Sequence, residues 1–269
     1  MNLLLWGSEM NESLFPVLEE IKTIGYDAVE IPIFDTDEKK WIQWRKQLDA
    51  LQLEAIAVTI NGKEHHAIST DAAMRKKTLD RNKQAVQCAA ILGSKLMTGP
   101  YHSALGVFTG LKSTNSEKEW AKEHLFHLSE HATTMNITLA VEYLNRFESY
   151  LATCTDELMD LVNSVNHPSC KMMFDTFHAN IEEKDIASAI RKIGDKLVHV
   201  QLSENDRGTL GKGHIDFHSI MKALEDINYT GIISVEAFSS KLSAANIWRN
   251  LFSSEMQLVN ESYQFLNAI

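Results

Sequence analysis

Three acidic residues close short apolar runs that read as buried strands. Glu142 ends Leu139-Ala140-Val141-Glu142, Asp175 ends Met172-Met173-Phe174-Asp175, and Glu236 ends Ser234-Val235-Glu236. A fourth, Glu30, follows Ala28-Val29. Burying an ionised carboxylate is costly unless it is paired or coordinates a metal, and several converging on one mouth repel one another. A bound divalent cation removes that repulsion. Oxygen-rich ligation with at most one nitrogen suits Mg, Mn or Co better than a thiolate-type zinc site. A strand-end carboxylate can instead cap the next helix, and for Glu30 that role and a functional one are both open. His199 and Gln201 lie two residues apart on another apolar run, so they share a face.

The segments after these acids carry more chemistry. Glu142-Tyr143-Leu144-Asn145-Arg146-Phe147-Glu148 puts a second acid and an arginine just past the strand, and His178 follows Asp175 by three residues. Ser203-Glu204-Asn205-Asp206-Arg207-Gly208 opens a polar loop that runs on through Lys212 and His214 to Phe217. Its glycines do not have the spacing of a phosphate-binding loop. Arg207 supplies a fixed cation and a hydrogen-bonding fork suited to sugar oxygens or a carboxylate.

Positioning these residues takes a regular scaffold, and the chain repeats one. Apolar runs suited to buried parallel strands occur at 3–6, 28–31, 55–59, 95–98, 138–142, 171–175, 198–202 and 232–236. Helical patterns follow near 12–24, 38–51, 71–91, 116–135, 156–166, 185–193, 217–226 and 245–267. Eight strand–helix units predict an α/β fold, a single (β/α)8 TIM barrel spanning residues 1–269, with its active site at the carboxyl ends of the strands. The acids stand at those ends. An open doubly wound sheet needs a glycine-rich turn after an early strand, and Gly7 alone follows Trp6.

The runs EYLNRFE, FDTFHANIEE and SENDRGTLGKGHIDF, followed by SVEAF, resemble those of the D-tagatose 3-epimerase and D-allulose (D-psicose) 3-epimerase group. That group belongs to the xylose-isomerase-like barrels, the sugar phosphate isomerases/epimerases. The resemblance follows strand order over most of the chain. It implies that Glu142, Asp175 and Glu236 bind one divalent metal ion, Mn, Mg or Co, and that Glu148, His178 and Arg207 contact the sugar. Where the group has His-x-His, this chain has His199-Val200-Gln201, so the fourth metal position falls to Gln201. A glutamine offers a neutral carbonyl oxygen in place of an imidazole nitrogen, which shifts the expected preference toward Mg or Mn. His199 points inward about 6.6 Å deeper, a core position.

The implied reaction is epimerisation of a free ketose at carbon 3 through a cis-enediolate, with Glu142 and Glu236 as the acid/base pair on opposite faces. Trp6, Tyr101 and Phe238 are candidate pocket walls, since aromatic faces pack on the apolar faces of sugars; for each, ordinary packing is the alternative. Arg207 and Lys212 keep a phosphorylated substrate open. Competing readings are an aldose–ketose or hydroxypyruvate-type isomerase on the same site, and a non-catalytic sugar-binding barrel in which Gln201 marks a lost metal site. The group also implies a homodimer or homotetramer.

Composition narrows the partners. The chain has 269 residues with 26 Lys+Arg against 36 Asp+Glu, a formal net charge of −10. Nucleic acid and anionic membranes call for a basic field, so neither is an expected partner. No apolar stretch reaches the roughly 18 residues of a membrane span, no signal-peptide pattern opens the chain, and Cys88, Cys154 and Cys170 lack disulfide or zinc spacing. The expected location is the cytoplasm.

Overall fold

A computed structural model describes residues 1–269. Seven strands, β1 Ala28–Pro32, β2 Glu54–Val58, β3 Leu96–Gly99, β4 Thr138–Val141, β5 Cys170–Asp175, β6 Leu197–Leu202 and β7 Ile232–Val235, pair in parallel in chain order. Around them run α1 Phe15–Ile24, α2 Glu38–Leu51, α3 Ala72–Leu92, α4 Asn115–Thr134, α5 Thr155–Val165, α6 Thr176–Glu182, α7 Ile186–Ile193, α8 Phe217–Asp226 and α9 Glu255–Leu266. The strands are apolar runs because both faces are covered, by barrel interior on one side and helices on the other. The helices show the complementary pattern. On α2, Trp41, Trp44 and Leu48 are buried, and on α5, Leu158, Leu161, Val162 and Val165, each set a single stripe. Together they form one continuous apolar core of 59 residues.

The expected first strand, 3–6, is not a strand. Leu3–Trp6 is a 3-10 turn, and the barrel is closed by one bridge just before it. Asn2 N–H donates to Val235 O and Glu30 N–H to Met1 O, both at 2.9 Å, so a single residue spans the gap between β7 and β1. The cause is local. The Asn2 side chain accepts from Leu4 N–H at 2.9 Å, capping a turn as soon as the bridge is made. Leu3, Leu4 and Leu5 are still buried, and a short apolar run cannot by itself distinguish strand from turn.

Two helices also depart from expectation. α6 lies outside the expected strands and helices, because Asp175 ends β5 and caps a helix at once, its Oδ1 accepting from Phe177 N–H at 2.8 Å. The last helix starts at Glu255 rather than near 245; Ser243–Ala245 makes only a 3-10 turn, and Ser254 supplies the cap.

At the end of β3, Gly99 has φ +123°, and a Cβ there would lie 2.2 Å from the Thr59 carbonyl oxygen. That oxygen is backbone and cannot move aside cheaply. Gly99→Ala should lower stability by about 2–3 kcal/mol, read as a fall in urea midpoint with an unchanged m value. An unchanged midpoint contradicts this close approach.

Candidate active site

Glu142 and Glu236 stand one residue beyond β4 and β7 and continue the ladder, with Glu142 N–H donating to Gly99 O at 3.1 Å and Glu236 N–H to Leu202 O at 2.9 Å. Asp175 is the last residue of β5, in register with Gln201 on β6, which pairs in turn with Ser234 on β7. Partners in a parallel ladder share a face, as do residues two apart. The side chains of Asp175, Gln201, Ser234 and Glu236 therefore all enter the barrel. Glu142, Asp175 and Glu236 are 6%, 1% and 5% exposed, so none is an ordinary solvated acid.

Arg207 lies among them. It sits in the loop after β6 at φ 65°, a left-handed conformation uncommon for a side-chain-bearing residue. Its N–H bonds Glu204 O and its carbonyl accepts from Phe238 N–H, both at 3.0 Å. The guanidinium Nη1 donates to Asp175 Oδ2 at 2.7 Å, Glu236 Oε2 at 2.5 Å and Ser203 Oγ at 3.0 Å. Phe177 and Phe238 pack against it, with ring centroids 3.8 and 4.6 Å from the guanidinium carbon. Burial disfavours the guanidinium's charge, but Asp175, Glu236 and Glu148 more than offset that and hold it ionised.

His178 completes the cluster from α6. Its Nδ1 accepts from Asn145 N–H at 3.1 Å and from Asn145 Nδ2 at 2.9 Å. A backbone N–H can only donate, so Nδ1 carries no proton. Burial lowers the His178 pKa and favours the neutral ring, whose proton then lies on Nε2. Nε2 is 3.5 Å from Asp175 Oδ2, 3.6 Å from Glu142 Oε1 and 3.2 Å from Arg207 Nη2. Asn145 Nδ2 also donates to Glu148 Oε1 at 2.9 Å, tying that acid to the group.

The electrostatics favour an added cation. Burial, then the like charges of Glu236 and Asp175, push the Glu142 pKa well above the carboxylate range. Glu236 is pushed up by burial, with Asp175 and Glu30 adding to it and Arg207 opposing. Glu142, Asp175 and His178 each place one ligand atom within 4.8 Å of the others, a buried Glu/Asp/His cluster that could bind a metal. Gln201 Oε1 is a buried acceptor without a partner. Three buried carboxyls share one guanidinium, and a divalent ion would lower the cost of ionising them together.

Of the residues singled out from the sequence, Glu142, Asp175, Glu236, Arg207, His178, Glu148 and Phe238 come together. Gln201 joins from the layer below, where its Nε2 donates to Glu30. Trp6 is half-buried on the 3-10 turn and packs against the core. Tyr101 is fully buried with its hydroxyl donating to Met97 O at 3.0 Å, and Lys212 is an exposed partner of Glu261. Asn2 drew no notice in the sequence. Its Nδ2 donates to Glu236 Oε1 at 2.7 Å, while its Oδ1 is held by Leu4 N–H. Only the fold could reveal that contact, because the two residues are 234 positions apart.

Residues 18–269 match the xylose isomerase-like TIM barrel family, and the chain belongs to it. It is 29% identical to an L-ribulose 3-epimerase of Methylomonas sp. (strain DH-1) over 248 residues, 90% of this chain and 86% of the relative. A solved L-ribulose 3-epimerase superposes with TM-score 0.94 at 26% identity, covering 100% of this chain and 92% of that one. A D-psicose 3-epimerase from Clostridium cellulolyticum H10, solved with D-tagatose, gives 0.91 at 25% identity, over 100% and 96% of the two chains. These relatives are carbohydrate epimerases.

The buried acids imply a pH signature. A carboxyl whose folded pKa exceeds its unfolded value contributes stability that is complete below about pH 4 and is lost as pH rises through the folded value. Glu142 and Glu236 both have raised values. Metal-stripped protein should therefore lose Tm as pH rises above the ordinary carboxylate range, and Glu142→Gln, which cannot ionise, should lose less. Calorimetric scans compare the two; equally steep losses contradict the assignment.

Proposed function

We propose that this chain is a metal-dependent ketose 3-epimerase acting on a free sugar. The observation that carries this is the pair of buried carboxyls, Glu142 and Glu236, both with raised pKa values and set on the non-adjacent strand ends of β4 and β7. Epimerisation at carbon 3 takes a base on one face of the substrate and an acid on the other, and two carboxyls that discourage each other's ionisation are poised to divide those roles.

Glu142, Asp175 and Glu236 would hold the ion, with Gln201 offering its oxygen. His178 fits a different role. Its proton lies on Nε2, so it donates there rather than ligating, and Arg207 Nη2 beside it is a second donor. A sugar oxygen between them satisfies both. Glu148 accepts from a sugar hydroxyl, and Phe238 and Trp6 offer apolar walls. A bound Mn, Mg or Co ion supplies Lewis-acid polarisation of the ketose carbonyl and neighbouring hydroxyl. One glutamate removes the carbon 3 proton as the C–H electron pair moves toward the carbonyl, giving the cis-enediolate. The other returns a proton to the opposite face as the carbonyl re-forms, and the two exchange roles in the reverse direction.

A free sugar is favoured over a phosphorylated one because the candidate phosphate partners are engaged. Arg207 is held by Asp175 and Glu236, and exposed Lys212 lies 3.7 Å from Glu261. Glu142→Gln and Glu236→Gln should each lower kcat by at least about 10²-fold while circular dichroism reports an intact fold. Near-wild-type turnover by either overturns the acid/base assignment. A panel of ketoses and ketose phosphates with product separation should return 3-epimers of the free sugars; aldoses as products favour the isomerase reading.

A further inference from the structure

Below the acids, β1, β6 and β7 bring a second polar group into the barrel. Glu30, His199, Gln201 and Ser234 are 0%, 0%, 2% and 2% exposed. Glu30 Oε1 accepts from His199 Nε2 and Ser234 Oγ, and Oε2 accepts from Gln201 Nε2 at 2.7 Å. Both oxygens of Glu30 are thus taken by side-chain donors, two on Oε1 and one on Oε2, so the carboxylate serves this layer as an acceptor.

That settles an otherwise ambiguous amide. The opposite orientation of Gln201 would press its carbonyl oxygen against Glu30 Oε2 in a buried site. With the NH2 toward Glu30, Gln201 Oε1 is left buried and unpartnered, next to Asp175 in the strand register. We propose that Glu30 is a positioning residue: by claiming the NH2 of Gln201, it turns the amide oxygen into a fixed ligand for the divalent cation held by Glu142 and Asp175. An amide freed from Glu30 can rotate and present a donor, which repels a cation. The proposal rests on the metal-dependent reading given above.

Mn²⁺ affinity, measured from the free-ion electron paramagnetic resonance signal, tests it without reference to turnover. Gln201→Leu and Glu30→Gln should each weaken binding by about 10–100-fold, the range for lost outer-shell support. Glu30→Gln should add no further loss in the Gln201→Leu background, whereas a merely structural Glu30 would weaken both backgrounds alike. Gln201→His, which can donate to Glu30 through one ring nitrogen and ligate through the other, should bind at least as tightly as wild type. If Glu30→Gln does not fold, Glu30→Asp serves, since it keeps the charge but withdraws the acceptor and must also weaken binding. Unchanged affinity in the Glu30 variants with weakened Gln201→Leu overturns the positioning role alone. Unchanged affinity in Gln201→Leu overturns ligation by Gln201, and absence of Mn²⁺ binding to wild type overturns the metal-dependent reading itself.

Discussion

The structure depends on placing several buried carboxylates in one barrel mouth without unfolding it. Burying an uncompensated charge costs several kcal/mol, and three segments around the mouth supply donors against it. Arg207 bridges Asp175 and Glu236, Asn2 holds the other oxygen of Glu236, and the start of α6 donates to Asp175. None of these contacts reaches Glu142, where burial and the like charges of Glu236 and Asp175 oppose ionisation and His178 Nε2 stands 3.6 Å away. A divalent ion would relieve that repulsion.

The layer beneath works by the same rule at greater depth. Glu30 is satisfied by His199, Ser234 and Gln201, and its backbone N–H also takes part in closing the barrel through Met1 O. Closure and site are therefore coupled. The residue that bridges β7 to β1, Asn2, also orients Glu236. A full eighth strand would extend the ladder, whereas the turn at Leu3–Trp6 ends it after one residue.

Glu142, Asp175 and Glu236 were legible because an acid closing an apolar strand is rare unless something binds it, and because barrel strands end at a common mouth. The tandem strand and helix runs were legible from hydrophobic periodicity. What escaped depends on contacts between distant parts of the chain. Leu3–Trp6 reads as a strand because its leucines are buried either way, and only Asn2 capping Leu4 decides the turn. α6 escaped because Asp175 serves as strand end and helix cap at once. Glu30 stood equally well as a helix cap or a functional acid until its three partners from β6 and β7 were in view. The tautomer of His178 required Asn145, 33 residues away.

Epimerisation at this mouth requires that it remove and return a proton at carbon 3 of a ketose. The most direct measurement is incubation of metal-loaded protein with free ketohexoses in D2O, followed by NMR of recovered substrate and product. Deuterium should appear at carbon 3 of the product epimer, with none at carbon 1, and the exchange should stop on adding a chelator. Label at carbon 1, or no exchange on any ketose, contradicts it.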